Sequence, residues 1–278
     1  RWRLFSIPGI IDSNEIKPND LEDGHVFYDW DPVAESWFKP DSIVIGRAYW
    51  FKHKYDEPVI FSNKDTTGYS VPLDSYEIKL HQGANMVGSP FPFPVRAEWN
   101  EGVSQPYKYG SDLKEGWADT NVFEPWAGYA VQSTSDSGKI TFYPIQDTTI
   151  AARTANSGWR LNLDLSSNSS FDRTSAIGRC DACEENVDMN DMLLLPSLTQ
   201  RVYISLDISN DGQFDHSKDL RSTSEFNGVW NMRVNRPKDE GSLLLKGAYD
   251  NHRPNDLVLM IVNVSNREVL KNFPVESF

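Results

Sequence analysis

Glu115-Gly-Trp-Ala-Asp-Thr-Asn-Val-Phe-Glu-Pro-Trp-Ala-Gly-Tyr-Ala-Val131 decides how the chain reads, because the block has already occurred once. Its earlier counterpart is Glu35-Ser-Trp-Phe-Lys-Pro-Asp-Ser-Ile-Val-Ile-Gly-Arg-Ala-Tyr-Trp-Phe51. Trp37 and Trp117 lie 80 residues apart, and so do Tyr49 and Tyr129. The register holds through the block without a gap. Large aromatics that recur at one offset read as the core of a duplicated fold, since each copy has the same space to fill.

Outward from the block, further matches follow. Leu4-Phe-Ser-Ile-Pro8 answers Met86-Val-Gly-Ser-Pro90 at an offset of 82. Phe27 answers Tyr107 at 80, and Val59-Ile-Phe61 answers Ile140-Thr-Phe142 at 81. Each copy thus carries an apolar strand ending in proline, an aromatic hairpin, a Gly-Tyr strand and a short closing strand. Two copies are too few for a solenoid, where three or more repeats share a core. They are expected to pair into one pseudo-symmetric β-domain over residues 1–152, with copies at about 1–82 and 83–152.

Small and polar residues at 147–158 mark a domain boundary. Trp159-Arg-Leu-Asn-Leu-Asp-Leu165 then alternates as a half-buried strand does. Residues 166–191 read as a long loop-rich insert with one candidate edge segment. Short strands follow at 202–208, 229–234, 241–246, 256–262 and 267–270, separated by turn residues. No window offers a 12-residue amphipathic helix. The expected class is all-β: the duplicated domain, then an antiparallel β-sandwich at 153–278.

The charge is −13, from 27 basic and 40 acidic residues. A nucleic-acid binder needs a basic stripe to displace counterions, and none is visible. An anionic membrane surface is disfavoured on the same ground, and no apolar run is long enough to span a bilayer. The chain opens on Arg1 and enters a strand-like run at Trp2. We read a processed protein or an excised fragment, so the lack of a signal peptide does not argue for the cytoplasm.

Few motifs carry chemistry. The five histidines (His25, His53, His81, His216 and His252) are scattered, and no nucleophile elbow or phosphate loop is present. Nothing singles out a carboxylate pair at glycosidase spacing. No catalytic residue is assigned, and the chain is read as a non-enzyme. Cys180 and Cys183 stand alone as one Cys-x-x-Cys, which cannot complete a four-ligand zinc site and sits in a Gly/Asp/Asn-rich stretch. A local disulfide is expected there.

The sharpest polar cluster runs from Asp207 to Asp219. Oxygens at alternate positions followed by glycine let a short loop wrap a hard cation, so Asp207, Ser209, Asp211, Asp215 and Asp219 are candidate calcium ligands. Against this, an EF-hand count from Asp207 meets Lys218 where glutamate belongs. Asn210-Asp-Gly212 is also a ready-made hairpin turn. Among the nine tryptophans, Trp30, Trp99 and Trp126 have no counterpart in the other copy. Trp50 faces Ala130 in the alignment, and Trp126 faces Gly46. These four are the candidate carbohydrate- or partner-binding residues, because a flat apolar ring packs on the C–H face of a sugar.

The order Trp159-x-Leu-x-Leu, Gly178, the Ala182/Asp188 loop, Pro196, Tyr203-Ile-Ser-Leu, Asp219-Leu-Arg221 and Trp230-x-Met-x-Val234 runs on to a strand-rich end at Phe278. It resembles the β-rich module that precedes the C-terminal sorting domain in large proteins secreted by the bacterial type IX system. Trp2 to Pro8 and Gly46 to Trp50 resemble the repeats found just before that module. The resemblance implies an extracellular or cell-surface protein for attachment, display or accessory binding, with no catalytic motif to carry over. Its expected partners are surface polysaccharide, other surface proteins or further copies of itself. An accessory carbohydrate-binding module of a secreted enzyme is the alternative.

Overall fold

The computed structural model describes residues 2–9, 25–53, 72, 74–111, 114–146, 158–223, 228–250, 257, 259–270 and 275–277. The strand expected at Val59-Ile-Phe61 lies outside them. Among the described residues there is no helix, and the protein is all-β. Contacts divide the chain into two units, and the division is discontinuous in sequence. The first holds Arg1–Gly110, Ala118–Ala152 and Leu195–Thr199, and the second holds Ser111–Trp117, Arg153–Leu194 and Gln200–Phe278.

The first unit opens with β1 (Trp2–Ser6), β2 (His25–Asp31), β3 (Ser36–Phe38) and β4 (Ala48–His53), then β5 (Tyr76–Lys79). After these come β6 (Gly83–Gly88), β7 (Val95–Trp99), β8 (Tyr107–Ser111), β10 (Gly128–Ser133) and β11 (Lys139–Gln146), while β9 (Lys114–Asp119) has its first four residues in the second unit and its last two in the first. One sheet has the order β1-β4-β2-β3 and a second has β6-β10-β8-β9. The orders coincide when β1 to β4 are set against β6, β8, β9 and β10. A third sheet, β5-β11-β7, completes the set.

Strand alternation explains the layering, since successive side chains point to opposite faces. In the first sheet Phe5, Ile7, Phe27, Ile43, Tyr49 and Phe51 form one buried cluster. Leu4 and Trp50, paired across β1 and β4, lie on the other face. Trp50 meets Tyr109 of the second sheet at 4.4 Å between rings. A further core joins Leu80, Val87, Phe91, Val95, Phe123, Tyr129, Val131, Ile140 and Phe142. Register can be compared between the two sheets at one aromatic position. Tyr28 stands opposite Trp50 in the first sheet, and Tyr107 stands opposite Ala130 in the second. A slip of one residue in a strand exchanges its faces, so register sets which side chains share a layer.

The second unit carries β12 (Gly158–Ser166), β13 (Phe171–Cys180), β14 (Met192–Leu193), β15 (Tyr203–Asp207), β16 (His216–Ser222), β17 (Asn231–Asn235) and β18 (Leu244–Tyr249). β19 (Ile261–Asn263) and β20 (Glu268–Leu270) form a separate hairpin, and β21 (Val275–Ser277) is last. One sheet runs β17-β15-β16-β13-β12-β18-β21, with β14 on β16. Its β13–β16 and β18–β21 pairings are parallel, which departs from the antiparallel arrangement expected. Leu161, Leu163 and Leu165 of β12 face a core with Ile177, Val202, Ile204, Leu206 and Tyr249.

The stretch 166–191, read as a loop-rich insert, contains the ten-residue strand β13 in the middle of this sheet. All its residues but Arg173 are buried. A strand covered on both faces loses the apolar/polar alternation by which strands are read. Its polar residues are satisfied internally instead. The Asp172 carboxylate accepts bonds from the Thr174 and Ile204 N–H groups at 3.0 and 2.9 Å and from the Thr174 and Ser175 hydroxyls at 2.7 and 3.0 Å.

Candidate functional site

The turn before β10 is built from Glu124-Pro-Trp-Ala127. Pro125 presets the second position, and the Ala127 N–H donates to the Glu124 carbonyl at 3.4 Å. The third position then takes a positive φ, which glycine adopts at no steric cost. Trp126 occupies it at φ 65° and is 42 % exposed. The matching turn Val44-Ile-Gly-Arg47 has the same closing bond at 3.4 Å and Gly46 at φ 83°. A left-handed conformation costs a side-chain-bearing residue about 1–2 kcal/mol.

Surrounding bonds hold the strained turn. The Trp126 carbonyl accepts the Ser6 N–H, and the Ser6 hydroxyl donates to the Ala127 carbonyl at 2.7 Å. At the other end the Glu124 N–H donates to the buried Tyr129 hydroxyl at 2.6 Å. Burial pushes the Tyr129 phenol above its ordinary range, so it stays neutral. A ring this exposed, on a backbone this constrained, is an arrangement that clusters at ligand-binding sites.

The other candidate tryptophans are placed differently. Trp50 is fully buried among Trp2, Trp37 and Tyr109. It offers no ring face to a ligand, which corrects its choice as a binding residue; an unmatched position can differ because its core neighbours differ. Trp30 is half-buried, packs on Trp37 with ring centres 4.7 Å apart, and donates from Nε1 to the Ala84 carbonyl at 2.8 Å. Trp99 lies opposite Ile140 in the three-stranded sheet and is partly buried against the core around Phe142. Trp30 and Trp50 share the aromatic layer around Trp37; Trp99 and Trp126 stand on other elements.

In the Asp207–Asp219 segment the carboxylates have separate partners. Buried Asp207 accepts the N–H groups of Asp211 and Gly212 at 3.2 and 3.0 Å, and so folds the loop after β15 back on itself. Asp211 accepts the Gln213 N–H, and Ser209 is exposed. Asp215 meets His216 Nδ1 at 2.6 Å. Asp219 lies within β16 rather than in the loop, and grips Arg221 with bonds of 2.8 to 3.2 Å. Among the described residues no group of three His, Cys, Asp or Glu side chains is arranged to hold a metal ion.

Cys180 and Cys183 form a disulfide at the end of β13, with Cα atoms 5.3 Å apart. The loop it opens contains a group that sequence reasoning passed over. Asp191 accepts the Leu220 and Asp188 N–H groups, each at 2.9 Å. Burial, more than the nearby Asp188 and Asp219 charges, pushes its carboxyl up to about 7, although the two N–H groups pull the other way. Nothing in the local sequence marks Asp191 among its acidic neighbours, because its Leu220 partner on β16 lies 29 residues away.

No helix among the described residues is long and apolar enough to cross a membrane. Comparison with protein-family models, curated proteins and solved structures found no match.

Proposed function

We propose that the chain is a non-enzymatic extracellular surface protein that serves adhesion, display or structural assembly. The observation that carries this reading is Trp126: a large apolar ring, 42 % exposed, at a position whose counterpart is Gly46. Glycine takes this conformation at no steric cost, so an exposed indole held there is the candidate contact for a partner. The disulfide at Cys180–Cys183 supports an oxidising, extracellular setting, where such bonds persist. Export by the type IX route rests on the resemblance of the sequence.

The partner in this reading is a cell-surface polysaccharide or another surface protein that packs against the ring. A carbohydrate-binding accessory module of a secreted enzyme uses the same indole, and is the second reading. A glycan array with the intact protein and its W126A, W30A and W99A variants tests the site. Binding lost in W126A and kept in the other two supports it. Polysaccharide binding that is indifferent to W126A would sink the assignment of that residue. If no polysaccharide binds and the protein stays monomeric at high concentration, the adhesion and assembly reading fails as well.

A further inference from the structure

We infer that the first two sheets meet as an isologous pair within one chain, the inner face of β1 and β4 packing on the equivalent face of β6 and β10 about a pseudo-two-fold axis. In a two-fold interface every contact from residue i to residue j has a reciprocal contact, and residues near the axis meet their own equivalents. Both signatures are present.

Register fixes the equivalences. Ser6 pairs with Ala48 across β1 and β4, as Gly88 pairs with Gly128 across β6 and β10. The Gly88 N–H donates to the Gly46 carbonyl at 3.0 Å, and the Ser6 N–H donates to the Trp126 carbonyl at 3.4 Å. These are one contact seen from each side of an axis. On the axis, equivalents touch. A Cβ on Gly88 would stand 2.0 Å from the Ser6 Cβ, and a Cβ on Gly128 would stand 2.7 Å from the Ala48 Cβ.

In each axial pair one member is glycine and the other carries the side chain. A strictly symmetric pair with two side chains at these positions would overlap, and one with four glycines would leave voids. The Ser6 hydroxyl uses the vacated space to reach the Ala127 carbonyl at 2.7 Å. The equivalent acceptor is the Arg47 carbonyl, which lies 3.2 Å from where a Gly88 Cβ would stand. Because one chain supplies both halves, this face is already occupied.

Exchanging the axial residues in the intact protein tests this. G88S alone overpacks the axis and lowers Tm by about 5 °C. The double variant S6G/G88S restores most of that loss, because its new hydroxyl donates to the Arg47 carbonyl. S6G/G88A fills the same space without the hydroxyl and melts ~2–4 °C below S6G/G88S. If the two double variants melt alike, Ser6 and Gly88 are only a steric pair and the two-fold relation is overturned. If S6G/G88S is no more stable than G88S, the proposal also fails. Should G88S not accumulate, the comparison of the two double variants still decides.

Discussion

The Tyr49 hydroxyl accepts the backbone N–H of Val44 at 2.7 Å, so a buried ring on β4 holds the first residue of the turn that precedes that strand. Tyr129 does the same for Glu124 at 2.6 Å. In each case the phenol lies five residues after the donor, and burial raises its pKa above the ordinary range. The tyrosines therefore act as neutral pins that fix the turns carrying Gly46 and Trp126.

Replacing either tyrosine by phenylalanine keeps the ring and removes the acceptor. The stranded N–H costs about 1–3 kcal/mol. Y49F and Y129F are expected to lose similar stability in denaturant titrations. A loss confined to one of them would show that the two turns are not equally pinned.

Trp126 makes a prediction of opposite sign for two small residues. W126G relieves the positive φ, whereas W126A keeps a Cβ in a strained conformation. W126G should be more stable than W126A by about 1 kcal/mol. Both should lose the binding attributed to the indole. Equal melting temperatures would remove the strain argument.

Asp191 sets a pH dependence whose sign follows from its raised folded-state value. Unfolded, the carboxyl titrates near its ordinary value of 3.8; folded, near about 7. The folded state holds the proton more tightly, so stability from this group is fully present below 3.8. It is lost as pH rises through about 7. Between these values the stability of wild type should fall with pH more steeply than that of D191N, as read by urea midpoints. Parallel pH profiles would exclude Asp191 as the source.

The loop after β15 separates a hairpin from a cation site. D207A removes the acceptor for the Asp211 and Gly212 N–H groups and should cost about 1–3 kcal/mol. Chelator should leave the melting temperature of the wild type unchanged. A rise in melting temperature with added calcium would revive the cation reading.

The strands that face a core on one side were legible from residue order. Trp159 to Leu165 alternates because one face of β12 meets the leucine core and the other carries polar partners such as Asn162, bonded to Asp250. β13 and β16 were not legible. Their serines, threonine, aspartates, arginines and lysine look like loop or ligand residues until neighbouring strands cover both faces and supply their partners. Site reading divided in the same way. The offset of 80 drew attention to Trp126 and Trp50 together, and only burial separates the exposed ring from the core one.

Sequence alone determined that the chain is all-β and that its aromatic blocks recur, because strand periodicity and turn residues act over a few positions. Tertiary structure decided which tryptophan reaches solvent, which carboxylate is pushed toward neutrality, and which residue stands opposite Trp50. Those properties depend on register and burial, which arise from residues tens of positions away and leave no local pattern in the chain.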